Sequence, residues 1–313
     1  MRRFKRILVV YGDGESFGDF EPDLIGLAKG NGAEVAVTGW SRPPSPSLLK
    51  ALFERKGKRP DELVKAGQQR LLEGHAERFR AAEVPVRTVV LEGDPLQALC
   101  MLIDDGEFDL VVKAVDGAKP DDHFTFGSFD RALVRLSSAP VMMAKPEAHR
   151  ATRVLVAVDV SDPDEAALNE YLLEISTSQA EIAHDEVHVV HAWSLDGEGA
   201  LRSGAFTEVS AAEIESLRDQ EQSFRHQALQ ALLAKYVDRP VTIVEHLVEG
   251  PAPNAIAAVA ERIDAEFLVM GAKPRRRVTT LVLSDCAETV LAAVDCSVLM
   301  VKDVPEIALG API

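Results

Sequence analysis

Cysteine is scarce in this chain. Cys100, Cys286 and Cys296 are all there are among 313 residues, and no two stand in C-x-x-C spacing. An odd, scattered set excludes a disulfide framework and a cysteine zinc site, and reduced thiols in a cytoplasm are the expectation. Cys100, in LQALCMLI, and Cys286 read as small buried hydrophobes, because a reactive thiolate needs a neighbouring cation. Long apolar runs are lacking as well: none approaches the roughly eighteen residues of a membrane span. The start, MRRFKRILVVYGDG, meets glycine and charge before a secretory core can form. Neither export nor a membrane partner is therefore expected. Positive charge is in deficit, with 34 Lys+Arg against 50 Asp+Glu and a net charge of −16. Such a surface repels nucleic acid unless basic residues cluster, as they do at residues 273 to 277. Aromatics are few, and the two tryptophans, Trp40 and Trp193, become landmarks.

What the chain does have is a duplication. ILVVYG at Ile7 matches VLVAVD at Val154; TGWS around Trp40 matches HAWS around Trp193; LEGDP at Leu91 matches VEGPA at Val248. The offset is 147 at the first match, 153 at the tryptophans, and 157 from Glu92/Glu249 to Lys145/Lys302, a span that includes DLVVKAV against EFLVMGA. The second copy thus carries ten additional residues in its first half, and the spacing predicts domains at 1–147 and 150–313. Each copy alternates short Val/Ile/Leu runs with amphipathic segments, the pattern of parallel strands joined by helices. The expected strands are near 6–11, 34–39, 86–92, 109–114 and 139–144, then 153–158, 186–192, 241–248, 266–271 and 297–302.

Two local motifs suggest enzymes. GESFG at Gly14 to Gly18 has the G-x-S-x-G form of a hydrolase nucleophile elbow, and Gly12, Gly14 and Gly18 approach a dinucleotide fingerprint. The second copy has DVSDPDEAA at this place, with no such serine, and the first ends its second strand in Thr38-Gly39-Trp40 rather than in a ribose-holding acid. A turn in which Ser16 or Asp19 caps a helix is the expected reading. His184, His188 and His191, with His246 on the next strand, invite a metal; His188 and His191 are three apart on a strand and face opposite sides, so packing roles and no metal are expected.

VLVAVD at Val154, the EGD and EGP turns at Glu92 and Glu249, and the closing strand–loop–helix–strand unit of each copy resemble the universal stress protein family, in its tandem two-domain form. The resemblance covers essentially the whole chain. It implies an α/β fold of two doubly wound domains, each a five-stranded parallel sheet of order 3-2-1-4-5, paired through their fifth strands as a pseudo-dimer capable of further self-association. It also implies a mostly non-enzymatic regulatory role in stress survival. Members that bind ATP are similar in having Gly-x2-Gly-x9-Gly-Ser/Thr after strand four and an aspartate ending strand one. Here the first copy has Ala114, Gly117, Gly127 and Ser128, with Gly12 in the aspartate's place and Asp116, Asp121 and Asp122 along the phosphate path. The second keeps Asp159 and Gly271, but Pro274 replaces a glycine, Ser284-Asp285 replaces Gly-Ser, and Arg275, Arg276 and Arg277 lie between. The resemblance therefore implies weak ATP or AMP binding in the first copy and a degenerate second site. The alternatives are an adaptor or apolar-ligand carrier with both sites lost, or a slow ATPase.

Overall fold

The computed structural model describes residues 4–12, 16–40, 45, 47–48, 50–51, 60–106, 108–115, 126–145, 153–183, 186–203, 209–272, 275–277, 280–282 and 285–302. The chain divides into two compact units. The first is built on β1 (Arg6–Tyr11), β2 (Glu34–Gly39), β3 (Val86–Val90), β4 (Leu110–Ala114) and β5 (Val141–Ala144), all parallel, in the order β3-β2-β1-β4-β5. Strands buried on both faces need apolar residues throughout, which is why RILVVY and LVVKA do not alternate. The crossovers are α1 (Glu21–Asn31), α2 (Pro60–Ala81), α3 (Pro95–Gly106) and α4 (Ser128–Leu136). Gly32 stops α1 in the left-handed conformation at φ 58°, where a side chain would be strained. Leu72, Ala76 and Phe79 of α2 recur every three to four residues and face the core, each large side chain contributing about 1.5–3 kcal/mol by its burial.

The second unit contains β6 (Arg153–Ala157), β7 (Glu186–Trp193), β8 (Thr242–Glu249) and β9 (Phe267–Gly271), parallel in the order β9-β6-β7-β8. Its helices are α5 (Ala166–Ala183), α6 (Glu198–Arg202), α7 (Ala211–Leu233), α8 (Ala252–Arg262) and α9 (Asp285–Ala293). Ser210 begins α7 with a capping box: its hydroxyl accepts the Glu213 N–H at 3.3 Å, and its own N–H donates to the Glu213 carboxylate at 2.8 Å.

Two segments of the second sequence copy belong to the first unit. β12 (Ser297–Val301) pairs antiparallel with β5, setting Val298 opposite Met143 and Met300 opposite Val141. A small hairpin, β10 (Arg275–Arg277) with β11 (Thr280–Val282), is grouped there too, and β11 packs on α4. Apolar periodicity gave no sign of this hairpin, since its first strand is three arginines.

Candidate functional site

In the first unit the strand order reverses between β1 and β4, so a crevice is expected beyond their C-terminal ends. β4 is buried along its whole length, yet its fourth residue is Lys113. Its ammonium lies 2.8 Å from Asp130 Oδ1, donates to the Ala114 carbonyl at 2.8 Å, and both charged side chains are 0% exposed. The other carboxylate oxygen, Oδ2, accepts the N–H of Gly127 at 3.0 Å. Asp130 therefore ties the end of β4 to the first turn of α4 and already engages one of the amides at that helix start.

Two aromatic rings cover this pair. Trp40 and Phe129 have centroids 4.2 Å apart, with planes tilted by 37°, and the Lys113 ammonium lies 5.8 Å from the first and 5.7 Å from the second. That is the range in which a cation is attracted to a ring face. Trp40 reaches its place because Gly39 lets β2 run close to β1: a Cβ there would stand 2.1 Å from the Tyr11 carbonyl oxygen. The Trp40 N–H donates to that same carbonyl at 3.1 Å.

The structure sets Ala114 buried at the end of β4, Gly127 at the N-cap of α4, and Ser128 exposed as the first helical residue. Gly12 follows β1 and is buried. Gly117, Asp116, Asp121 and Asp122 lie outside the described residues, as do Pro274 and Ser284. In the second unit Asp159 follows β6 and is exposed. Its carboxylate accepts the N–H of Ser161 at 2.9 Å and the Ser161 hydroxyl. Buried Asn169 fixes the Asp159 backbone from both sides, accepting its N–H at 3.0 Å and donating to its carbonyl at 2.7 Å. Gly271 ends β9 in this unit, and the backbone of Arg275, Arg276 and Arg277 forms β10.

Ser16 does not cap a helix, contrary to the sequence expectation: its hydroxyl accepts the Gly18 N–H two residues on, and the following 3-10 turn and α1 have no side-chain cap. Gly18 is the first residue of that turn, so the Ser16 hydroxyl is engaged before α1 begins. Among the histidines, His188 and His246 meet across β7 and β8 with Nδ1 and Nε2 2.9 Å apart, while buried His191 donates through Nδ1 to the Val158 carbonyl at 3.1 Å. Among the described residues no group of three or more potential ligands could hold a metal ion; His184 lies outside them.

The site residues that sequence reasoning missed are Lys113, Phe129 and Asp130, and Trp40 was no more than a landmark of the repeat. A signal for two of them was present: a lysine in LVVKA needs a buried partner, and Asp130 stands three residues after Gly127, the spacing of a capping box.

The universal stress protein family model matches residues 3–145 and again residues 151–302. The chain belongs to the universal stress protein family. It carries two such domains in tandem. Universal stress protein E of Escherichia coli K12 is 28% identical over 236 residues, which cover 72% of this chain and 71% of that one. A functionally unknown protein from Pseudomonas aeruginosa PAO1 superposes with a TM-score of 0.69 at 19% identity, covering 96% of this chain and 93% of the other. A universal stress protein from Archaeoglobus fulgidus gives 0.58 at 19%, with coverages of 95% and 98%. At such identities the superpositions bear on the doubly wound fold alone. No helix among the described residues is long and apolar enough to cross a membrane.

Proposed function

We propose that this tandem universal stress protein is a regulatory binding module that carries out no reaction of its own, and that its first unit takes ATP or AMP weakly, led by the phosphates, at the start of α4. The supporting observation is the placement of Gly127 and Ser128: they open a nine-residue helix at the C-terminal side of β4, beside the strand-order reversal. A helix start of this kind favours anions through its N–H groups and a partial charge of about +0.5. Ala114 and Gly117 complete the proposed cradle. Weakness follows from two contacts: the Asp130 carboxylate already accepts the Gly127 N–H, and Phe129 rests on the ring of Trp40. An affinity on the order of tens of micromolar to millimolar follows if two or three contacts, each worth about tenfold, are lost. The second site is degenerate in this reading: Asp159 and Gly271 are kept, but Pro274 stands in place of a glycine, Ser284-Asp285 in place of Gly-Ser, and Arg275 to Arg277 lie between them. Ser16 is no nucleophile in this reading, since the matching DVSDPDEAA of the second copy has no serine between glycines.

Calorimetric titration of the full chain with AMP and ATP tests this. Gly127→Asp places a carboxylate at the helix start and is expected to abolish binding; unchanged binding overturns the assignment. The Trp40–Phe129 contact also favours a second reading, an adaptor with a sealed crevice, for which neither wild type nor variant gives heat or raised melting with any nucleotide.

A further inference from the structure

We infer that Phe129 is a built-in occupant of the face of Trp40, so that the first unit is closed by its own side chain and opens to a ligand combining a flat aromatic ring with an anionic tail. This rests on the nucleotide reading above and names the regulation of that same site. Both rings are half-buried, Trp40 just after β2 and Phe129 in the first turn of α4, rather than in the core. The backbone beneath Phe129 is fixed, because the next residue, Asp130, is locked to Lys113 and to the Gly127 amide. Opening then needs rotation of one phenyl side chain and no movement of the helix, while Lys113 stays behind to attract whichever ring lies over it.

The duplication carries the inference independently. By the offsets of 153 and 157, Trp40 corresponds to Trp193, but Phe129 corresponds to Cys286, Lys113 to Met270 and Asp130 to Ala287. The occupant and the charged pair that anchors it are together in one copy and together missing from the other. The exchange is also favourable in magnitude. An aromatic side-chain pair is worth a factor of about 2 to 12 beyond its burial. A base stacked on an aromatic ring is worth a factor of about 5 to 150. A nucleotide whose phosphates are held by α4 can therefore displace the phenyl ring, whereas a phosphate without a base has nothing to exchange for it.

The test is calorimetry on the full chain with AMP and with ribose 5-phosphate, the same anion without the base. Phe129→Ala is expected to bind AMP about three- to tenfold more tightly than wild type, the value of the pair removed. Trp40→Leu is expected to weaken AMP binding, and neither change alters ribose 5-phosphate binding. Phe129→Leu, which keeps an apolar side chain over Trp40, serves as the packing control and falls between wild type and alanine. In a Trp193→Phe background, Trp40 emission reports the exchange and is expected to change with AMP and not with ribose 5-phosphate. If Phe129→Ala and Phe129→Leu bind AMP as wild type does while Gly127→Asp abolishes it, self-closure is wrong and the phosphate site stands. An equal gain for both ligands overturns the base-stacking role of Trp40. Unaltered AMP binding in Gly127→Asp, or no binding in any variant, overturns the nucleotide reading and this inference together.

Discussion

Lys113 and Asp130 can be separated from either side, and the two outcomes differ in kind. Lys113→Ala leaves a carboxylate at zero exposure without its cation, and loss of one partner of a buried pair typically costs about 3–5 kcal/mol. Replacing both residues by those of the second copy, Lys113→Met with Asp130→Ala, removes both charges and puts methionine volume under the rings. The double variant is expected to recover most of that loss, falling short by the Gly127 cap, about 1 kcal/mol. Urea unfolding of the single and double variants measures the difference. A double variant less stable than Lys113→Ala would mean that the pair stabilises the unit beyond neutralising its own burial.

At the scale of elements, β7 and β8 carry a proton-sensitive contact. Parallel register sets His188 opposite Val244, so His246 is its diagonal neighbour on the same face. A guanidinium can only donate, so Arg262, 2.9 Å from His246 Nδ1, leaves His246 to donate through Nε2 to His188 Nδ1. His188 then turns its remaining N–H toward Glu186, 3.6 Å away, too long for a hydrogen bond. Burial holds both imidazoles below their ordinary value; Arg262 lowers both further and Arg153 lowers His188, against Glu186 and Glu245. Since the folded state favours the neutral rings, this stability is fully present above the unfolded value of about 6.5 and is lost as pH falls below it. Melting is expected to drop between pH 7.5 and 5, and His246→Gln, whose amide can still accept from Arg262 and donate to His188, should flatten the drop. An equally steep profile in the variant would assign the sensitivity to other groups.

For the whole molecule, the duplicated fold does not make a duplicated site. Asp159 is retained in one copy and the Gly127-Ser128 helix start in the other, so one nucleotide per 313-residue chain is expected. Calorimetry gives this directly as a stoichiometry near one, and two equivalent sites would show that Asp159 supports binding despite Pro274 and Asp285. The acidic surface belongs to the same scale. With a net charge of −16, tight binding to duplex DNA at moderate salt is not expected in a mobility-shift titration.

The sequence by itself determined the tandem α/β organisation, because buried parallel strands demand unbroken apolar runs and a repeated offset exposes the copies: RILVVY, EVAVTG and FLVMG each stand within a residue or two of where their pattern placed them. It also marked Gly127 and Ser128 as the start of a helix. Only the tertiary structure decided which side chains close the crevice. Trp40, Lys113 and Phe129 are distant in the chain, and they meet because β2 and β4 end, and α4 begins, on the same side of a sheet whose order reverses between β1 and β4. The strand pattern of VLMV likewise announces a buried strand, and the family resemblance named the fifth strand of the first copy as its partner; the antiparallel register, Val298 opposite Met143, came from the tertiary structure alone, because strands apolar on both faces carry no alternation to set it.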